Sequence, residues 1–139
     1  MNIDSITNGI VIDHIAAGRG MQLYKLLNLD ELDCPVAIIM NVHSRKMGRK
    51  DIIKVDAAID LDIDAIGYVD PNATVNIIRD GALVEKKDIG LPEKLVNIIR
   101  CKNPRCITTT EQELIQHFVL TDRKKGVYRC RYCEAKAEG

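Results

Sequence analysis

Apolar and polar positions along this chain follow two different periods, and each change of period marks an element. Residues 8–15, Asn-Gly-Ile-Val-Ile-Asp-His-Ile, are largely β-branched and bounded by Gly9, which predicts a strand. From Gly18 to Asn28 the period lengthens. Leu23, Leu26 and Leu27, with Met21 and Tyr24 beside them, recur at helical spacing among good helix formers. After the break at Asp33-Cys34-Pro35, Val36 to Val42 is an apolar run of strand length, expected in the interior of a sheet. Ser44 to Lys50 gathers Arg45, Lys46, Arg49 and Lys50 around Gly48. It leads into Asp51-Ile52-Ile53-Lys54-Val55-Asp56, which together read as a basic hairpin. Ile59, Ile63 and Ile66 return to near-helical spacing, and Asp70-Pro71-Asn72 closes that segment. Thr74 to Arg79 and Ala82 to Lys87 flank Asp80-Gly81, a pair that supplies the positive φ a tight hairpin turn requires.

The order β-α-β-β-α-β-β predicts an α+β fold: a ferredoxin-like antiparallel sheet with two helices packed on one face. Leu91-Pro92-Glu93 marks a boundary, so residues 1–92 form one domain and residues 93–139 a second. The second has few core candidates, Phe118 and Tyr128 among them, and a small all-β unit of that size needs a staple.

The staple is visible in the cysteines. Cys101-x4-Cys106 and Cys130-x2-Cys133 are two turn-forming pairs joined by a long connection, the spacing of a tetrahedral zinc site. Two disulfides or four unrelated thiols are the bland alternative. Against it, Met1 to Gly20 contains Asp4 and Asp13 and no long apolar core, so nothing there reads as a secretory signal. Four protein ligands leave no position for water, so one Zn²⁺ per chain is expected to be structural rather than catalytic. The fifth cysteine, Cys34, precedes Pro35 and an apolar run and reads as a bystander.

Composition changes the picture only where it is uneven. The 139 residues are 46% hydrophobic, and no stretch approaches the roughly 20 apolar residues of a membrane span, so a cytoplasmic protein with no membrane partner is expected. Net charge is zero, yet residues 1–92 hold 10 basic and 14 acidic side chains while residues 93–139 hold 10 and 6. Four thiolates on one Zn²⁺ carry a charge of −2, which gives Arg100, Lys102, Arg105, Arg129 and Arg131 an anion to balance.

Catalytic chemistry finds little support. His14, His43 and His117 are dispersed, and Gly18-Arg19-Gly20 is too short for a dinucleotide loop. Asp60, Asp62 and Asp64 lack the glycine and late glutamate of a calcium loop and read as an acidic helix start. A scattered set is more telling. Asp13 and His14 end the first strand, Lys50 and Lys54 share one face of the basic hairpin, and Lys86 follows the Asp-Gly turn. Met at one sheet edge, these would form a focused anion site for a polyphosphate, with Asp13 free to accept from a ribose hydroxyl. Surface lysines in weak cross-strand ion pairs are the alternative.

At this point the chain resembles the regulatory chain of aspartate carbamoyltransferase over nearly its whole length. The resemblance is carried by Gly9-Ile-Val-Ile-Asp13-His14-Ile15, Met47-Gly48-Arg49-Lys50-Asp51-Ile-Ile-Lys54, Ala73-Thr74-Val75-Asn76, Leu91-Pro92-Glu93 and the cysteine frame ending in Arg-Cys-Arg-Tyr-Cys-Glu. It implies a non-catalytic subunit that controls carbamoyl aspartate formation in de novo pyrimidine biosynthesis by binding CTP as inhibitor and ATP as activator. UTP acting with Mg²⁺ beside CTP is a further implication. Asp13 and Lys54 match positions on the ribose and base side of the nucleotide, and Lys86 one that holds the triphosphate. His14 and Lys50 match positions near the phosphates and a second nucleotide. Ile3, Asp4, Ser5 and Ile6 correspond to an amino-terminal segment lining the base pocket, and Asn76, Ile78 and Leu83 to its strand wall. The resemblance further implies a homodimer made through the nucleotide domain and a zinc domain that docks on catalytic trimers.

The chain departs from some relatives, with Gly81 where certain of them carry Tyr, and Thr7 and Asn8 where some carry basic residues. A rival from another class is a zinc-ribbon nucleic-acid-binding protein, supported by Lys102, Arg105, Arg123, Lys124, Lys125, Arg129 and Arg131. The acidic first domain argues against a nucleic-acid partner.

Overall fold

The computed structural model of the protein describes residues 6–137. The chain divides into two compact units, Met1–Gly90 and Leu91–Gly139.

In the first unit the elements run β1 (Gly9–Ala16), α1 (Gly20–Leu26), β2 (Val36–Ser44), β3 (Gly48–Val55), α2 (Ile63–Val69), β4 (Thr74–Arg79) and β5 (Ala82–Asp88), with a single 3₁₀ turn at Leu29–Glu31. The five strands form one sheet in the order β2-β3-β1-β4-β5, and every pairing is antiparallel. This is the expected α+β arrangement of the ferredoxin-like kind, extended by β5.

Strand alternation divides the sheet into two chemically different faces. Ile10, Ile12 and Ile15 of β1, Ile53 and Val55 of β3 and Val75 of β4 form a buried cluster with Leu23 of α1 and Ile66 and Val69 of α2. The intervening residues, among them Val11, Asp13, Lys54 and Asn76, point to the opposite face, because side chains alternate along a strand. Helix α2 begins where the acidic run predicts a helix start: the Asp62 carboxylate accepts from the Ala65 N–H at 3.2 Å. Asp64 follows in the first turn, where its charge favours the helix dipole.

One expectation is overturned. Val36 to Val42 lies in β2, at the edge of the sheet rather than inside it. An apolar run marks a strand but not how many neighbours it has, and β2 leaves its apolar residues half-buried or exposed, Met40 at 55%.

In the second unit β6 (Lys94–Val96), β7 (His117–Asp122) and β8 (Val127–Cys130) form a three-stranded antiparallel sheet in chain order, and a one-turn helix, α3, spans Ile107–Thr110. The apolar segment from Leu95 to Arg100 thus contributes only a short strand. Leu95 stands opposite Phe118, and Phe118 opposite Cys130. That buried row leads from the small core directly to a cysteine.

Candidate functional site

The four cysteines of the second unit converge. Cys101 Sγ lies 3.6 Å from Cys133 Sγ and Cys106 Sγ lies 3.7 Å from Cys130 Sγ, and all four sulfurs fall within 4.8 Å of one another. Metal–thiolate bonds of about 2.3 Å in a tetrahedron require sulfur–sulfur edges of about 3.8 Å. The cluster therefore fits one tetrahedral metal ion, and all five cysteines are free of disulfide bonds. Each pair sits on a tight bend. In the first, the Cys106 N–H donates to the Asn103 carbonyl and the Arg105 N–H to the Asn103 side chain. In the second, the Glu134 N–H donates to the Cys130 carbonyl, and Glu134 takes φ 65° to turn the chain.

The thiols are not equivalent without metal. Burial pushes Cys101 up to about 12. Burial also opposes ionisation of Cys133, but the Ala135 N–H and its neighbours Asn103, Cys101 and Cys106 outweigh it and bring this thiol down to about 7. Two supporting groups escaped the sequence reading. Thr108 Oγ1, itself buried, lies 3.1 Å from Cys106 Sγ, and the Gln116 side-chain oxygen accepts from the Cys101 N–H at 2.9 Å. The Cys-x-Thr spacing at the start of α3 was the available signal for the first. The second depends on a long-range approach.

The first unit carries the cationic set on the open face of its sheet rather than at an edge. Lys86 stands opposite Asn76, Asn76 opposite Val11, Val11 opposite Lys54 and Lys54 opposite Ala37, a single row across all five strands. Ile78 and Leu83 pair one step along the same face. An extra residue in β5 at Val84 makes that pairing possible, and it leaves Leu83 56% exposed.

A second irregularity shapes the other end of the row. The β1–β3 register shifts by one residue between Ile12 and Ile15, and His14 takes φ 58°. The bulge turns both Asp13 and His14 toward the open face. Lys50 Nζ meets Asp13 Oδ1 at 2.9 Å, with both side chains less than a fifth exposed. His14 Nδ1 lies 2.9 Å from Thr74 Oγ1. Partial burial opposes ionisation of Asp13, but the hydrogen bond from Lys50, the His14 N–H and the charges of His14 and Lys50 hold its carboxyl below the usual value. Asn76 Oδ1 is buried and has no hydrogen-bond partner among the described residues. Ile6 is buried beside Gly9, where a Cβ would approach Ile6 Cγ2 at 2.7 Å. Ile3, Asp4 and Ser5 lie outside the described residues. Thr74 and Val11 are members of this face that the sequence reading did not single out.

Taken together, the fold defines a two-part protein: an α+β unit with one helix-free, lysine-bearing sheet face, and a metal unit whose four thiolates leave no open coordination position. Comparison with known proteins gives the family. Residues 1–90 match the model of the aspartate carbamoyltransferase regulatory chain, allosteric domain, and residues 93–139 that of the same chain's metal binding domain. The regulatory chain of Clostridium acetobutylicum is 48% identical over 139 residues, covering 100% of this chain and 95% of the relative. That of Bifidobacterium longum is 44% identical, covering 99% of each. That of Clostridium botulinum strain Hall is 46% identical over 134 residues. The chain belongs to the aspartate carbamoyltransferase regulatory chain family, and its part in that system is regulatory rather than catalytic. No helix of the described residues is long and apolar enough to cross a membrane.

Proposed function

We propose that this chain is the nucleotide-sensing subunit of an aspartate carbamoyltransferase, setting the rate of carbamoyl aspartate formation for pyrimidine synthesis in the cytoplasm. The observation that carries the reading is the row Lys54, Val11, Asn76, Lys86 on the open sheet face, beside the Asp13–Lys50 pair. Lys54 and Lys86 sit three strand spacings apart, about 14 Å between backbones. That span suits an elongated anionic ligand lying across β1 and β4.

A nucleoside triphosphate meets every part of this face. Lys86 and His14 receive phosphate oxygens, while Lys54 and Asp13 hold the sugar and base side. Asn76, Ile78 and Leu83 form the wall behind the base. An unpaired buried carbonyl oxygen is costly, and a ligand N–H or O–H donor would satisfy Asn76 Oδ1. Ile6, buried beside Gly9, borders the base pocket in this reading. Lys50, already paired with Asp13, serves a second nucleotide or the Mg²⁺-linked phosphates of a CTP and UTP pair.

CTP and ATP compete for this one face, so opposite effects on activity require each to favour a different global state. The metal is Zn²⁺, for which an all-thiolate tetrahedron is a common structural site. Residues 1–92 act as the sensing domain and as the homodimer contact. Residues 93–139 act as the domain that docks on catalytic trimers.

The test is to mix the purified chain with aspartate carbamoyltransferase catalytic trimers and follow aspartate saturation with and without CTP or ATP. The expected result is a shift of the half-saturating aspartate concentration in opposite directions. Curves that coincide under all three conditions would sink the reading.

A further inference from the structure

The structure holds two buried carboxylates that take no part in the proposed ligand contacts. Asp51 is 0% exposed and Asp70 1%. Both lie at the end of β1 that follows the Asp13–His14 bulge. Beyond the bulge β1 keeps only two partners on β3, Ile15 opposite Asp51 and Ala16 opposite Lys50, and its pairing with β4 stops at Asp13. Two pairs are a weak hold on register, and a one-residue slip would exchange the faces of every side chain in the segment.

The carboxylates supply the missing acceptors. Asp70 Oδ2 accepts from the Ala16 N–H at 2.7 Å, on the side where β4 has ended, and its other oxygen accepts from the Asn72 N–H at 2.9 Å. Asp51 Oδ2 accepts from Gly18 and Gly20 at 3.0 and 2.9 Å. Asp51 Oδ1 reaches the other way, to the Asn41 N–H at 3.1 Å, where β2 has its own bulge and Asn41 takes φ 62°. Alternate N–H groups at positions 16, 18 and 20 are thus clamped by two carboxylates from below the sheet. A Cβ at Gly20 would stand 2.8 Å from Asp51 Oδ2 and would push that side chain out of the clamp.

We propose that Asp51 and Asp70 are positioning residues of the anion-binding face, holding the short register beyond the bulge that aims Asp13 and His14 at Lys50 and Thr74. The ligand part of this inference rests on the nucleotide reading; the positioning part does not. Asp51 lies on the opposite face of β3 from Lys50, so either carboxylate acts on the site only through backbone.

The experiment uses Asp70→Asn and the milder Gly20→Ala in the full chain, with two readouts. The first is the imidazole nitrogen NMR signals of His14, assigned among the three histidines by their loss in His14→Gln. The second is binding of inorganic tripolyphosphate by calorimetry. Folded variants should show His14 signals displaced from the unaltered chain and tripolyphosphate affinity reduced by about tenfold. His14 signals unmoved in a folded variant would overturn the proposal, since a role in stability alone lowers the melting temperature without moving them. If the unaltered chain binds neither tripolyphosphate nor nucleotide, the nucleotide reading fails, and the His14 signals still decide the positioning role. Should neither variant fold, amide exchange in the unaltered chain decides. Ala16, Gly18 and Gly20 must then be protected as strongly as the paired part of β1, and exchange at open-loop rates would overturn the clamp.

Discussion

Asp13 shows how much one side chain's surroundings alter its chemistry. Its carboxyl is held below the ordinary aspartate value against the opposing effect of burial, chiefly by Lys50. A carboxyl with a depressed folded-state value contributes stability that is fully present above the unfolded value, about 3.9, and is lost as pH falls through the folded one. Urea midpoints of the unaltered chain should therefore drop below about pH 4 more steeply than those of Asp13→Asn, and parallel curves would count against the ion pair. Lys86 is exposed and replaceable without disturbing the core. Lys86→Ala should weaken CTP binding about tenfold by calorimetry while leaving metal content unchanged. The candidate residues at this scale were legible because charge and residue type are local facts. Thr74 and Gln116 were not, because each meets its partner only across the fold, Thr74 at a separation of 60 positions and Gln116 at 15.

The elements follow their local signals closely where a turn or cap dictates geometry. The hairpin of β4 and β5 turns at Asp80 and Gly81, with φ 52° and 77°, as the Asp-Gly pair requires. Replacing Gly81 by Val places a β-branched residue in the left-handed region and should lower the melting temperature of the first unit measurably by calorimetry, whereas Gly81→Asn should be tolerated. The start of α2 depends on the Asp62 cap, so Asp62→Ala should cost about 1 kcal/mol in urea unfolding. Other features of the elements were invisible. The bulges at Asp13–His14 and Met40–Asn41 carry no turn residue beyond Asn41, because a bulge is a disagreement between two strands rather than a property of one. The edge position of β2 was misjudged for the same reason. Its apolar residues match those of a covered strand, and only strand order tells how many neighbours it has.

At the scale of the whole molecule the two units differ in what keeps them folded. The first has a continuous core of isoleucine, valine and leucine beneath its sheet. The second has few large buried side chains, Leu95, Phe118 and Tyr128 with the cysteines around them, and a metal ion there can contribute on the order of 10 kcal/mol. Chelation, or Cys106→Ser, should abolish the metal and the near-ultraviolet signal of Tyr128 while the first unit retains its own cooperative unfolding transition. Loss of both together would refute separate folding. Because metal must displace protons from thiols, one of which is pushed up to about 12, apparent metal affinity should fall as pH is lowered, with protons released on binding. The sequence by itself determined the order of elements in the first unit and the four cysteines that come together in the second, since period, turn chemistry and cysteine spacing are written in consecutive residues. Only the tertiary structure decided that Lys54, Asn76 and Lys86 share one row, that three bulges reshape the five-stranded sheet and that buried carboxylates accept from the backbone beside two of them. Those facts depend on which strands become neighbours and in what register, and that is settled by the burial of the whole core at once.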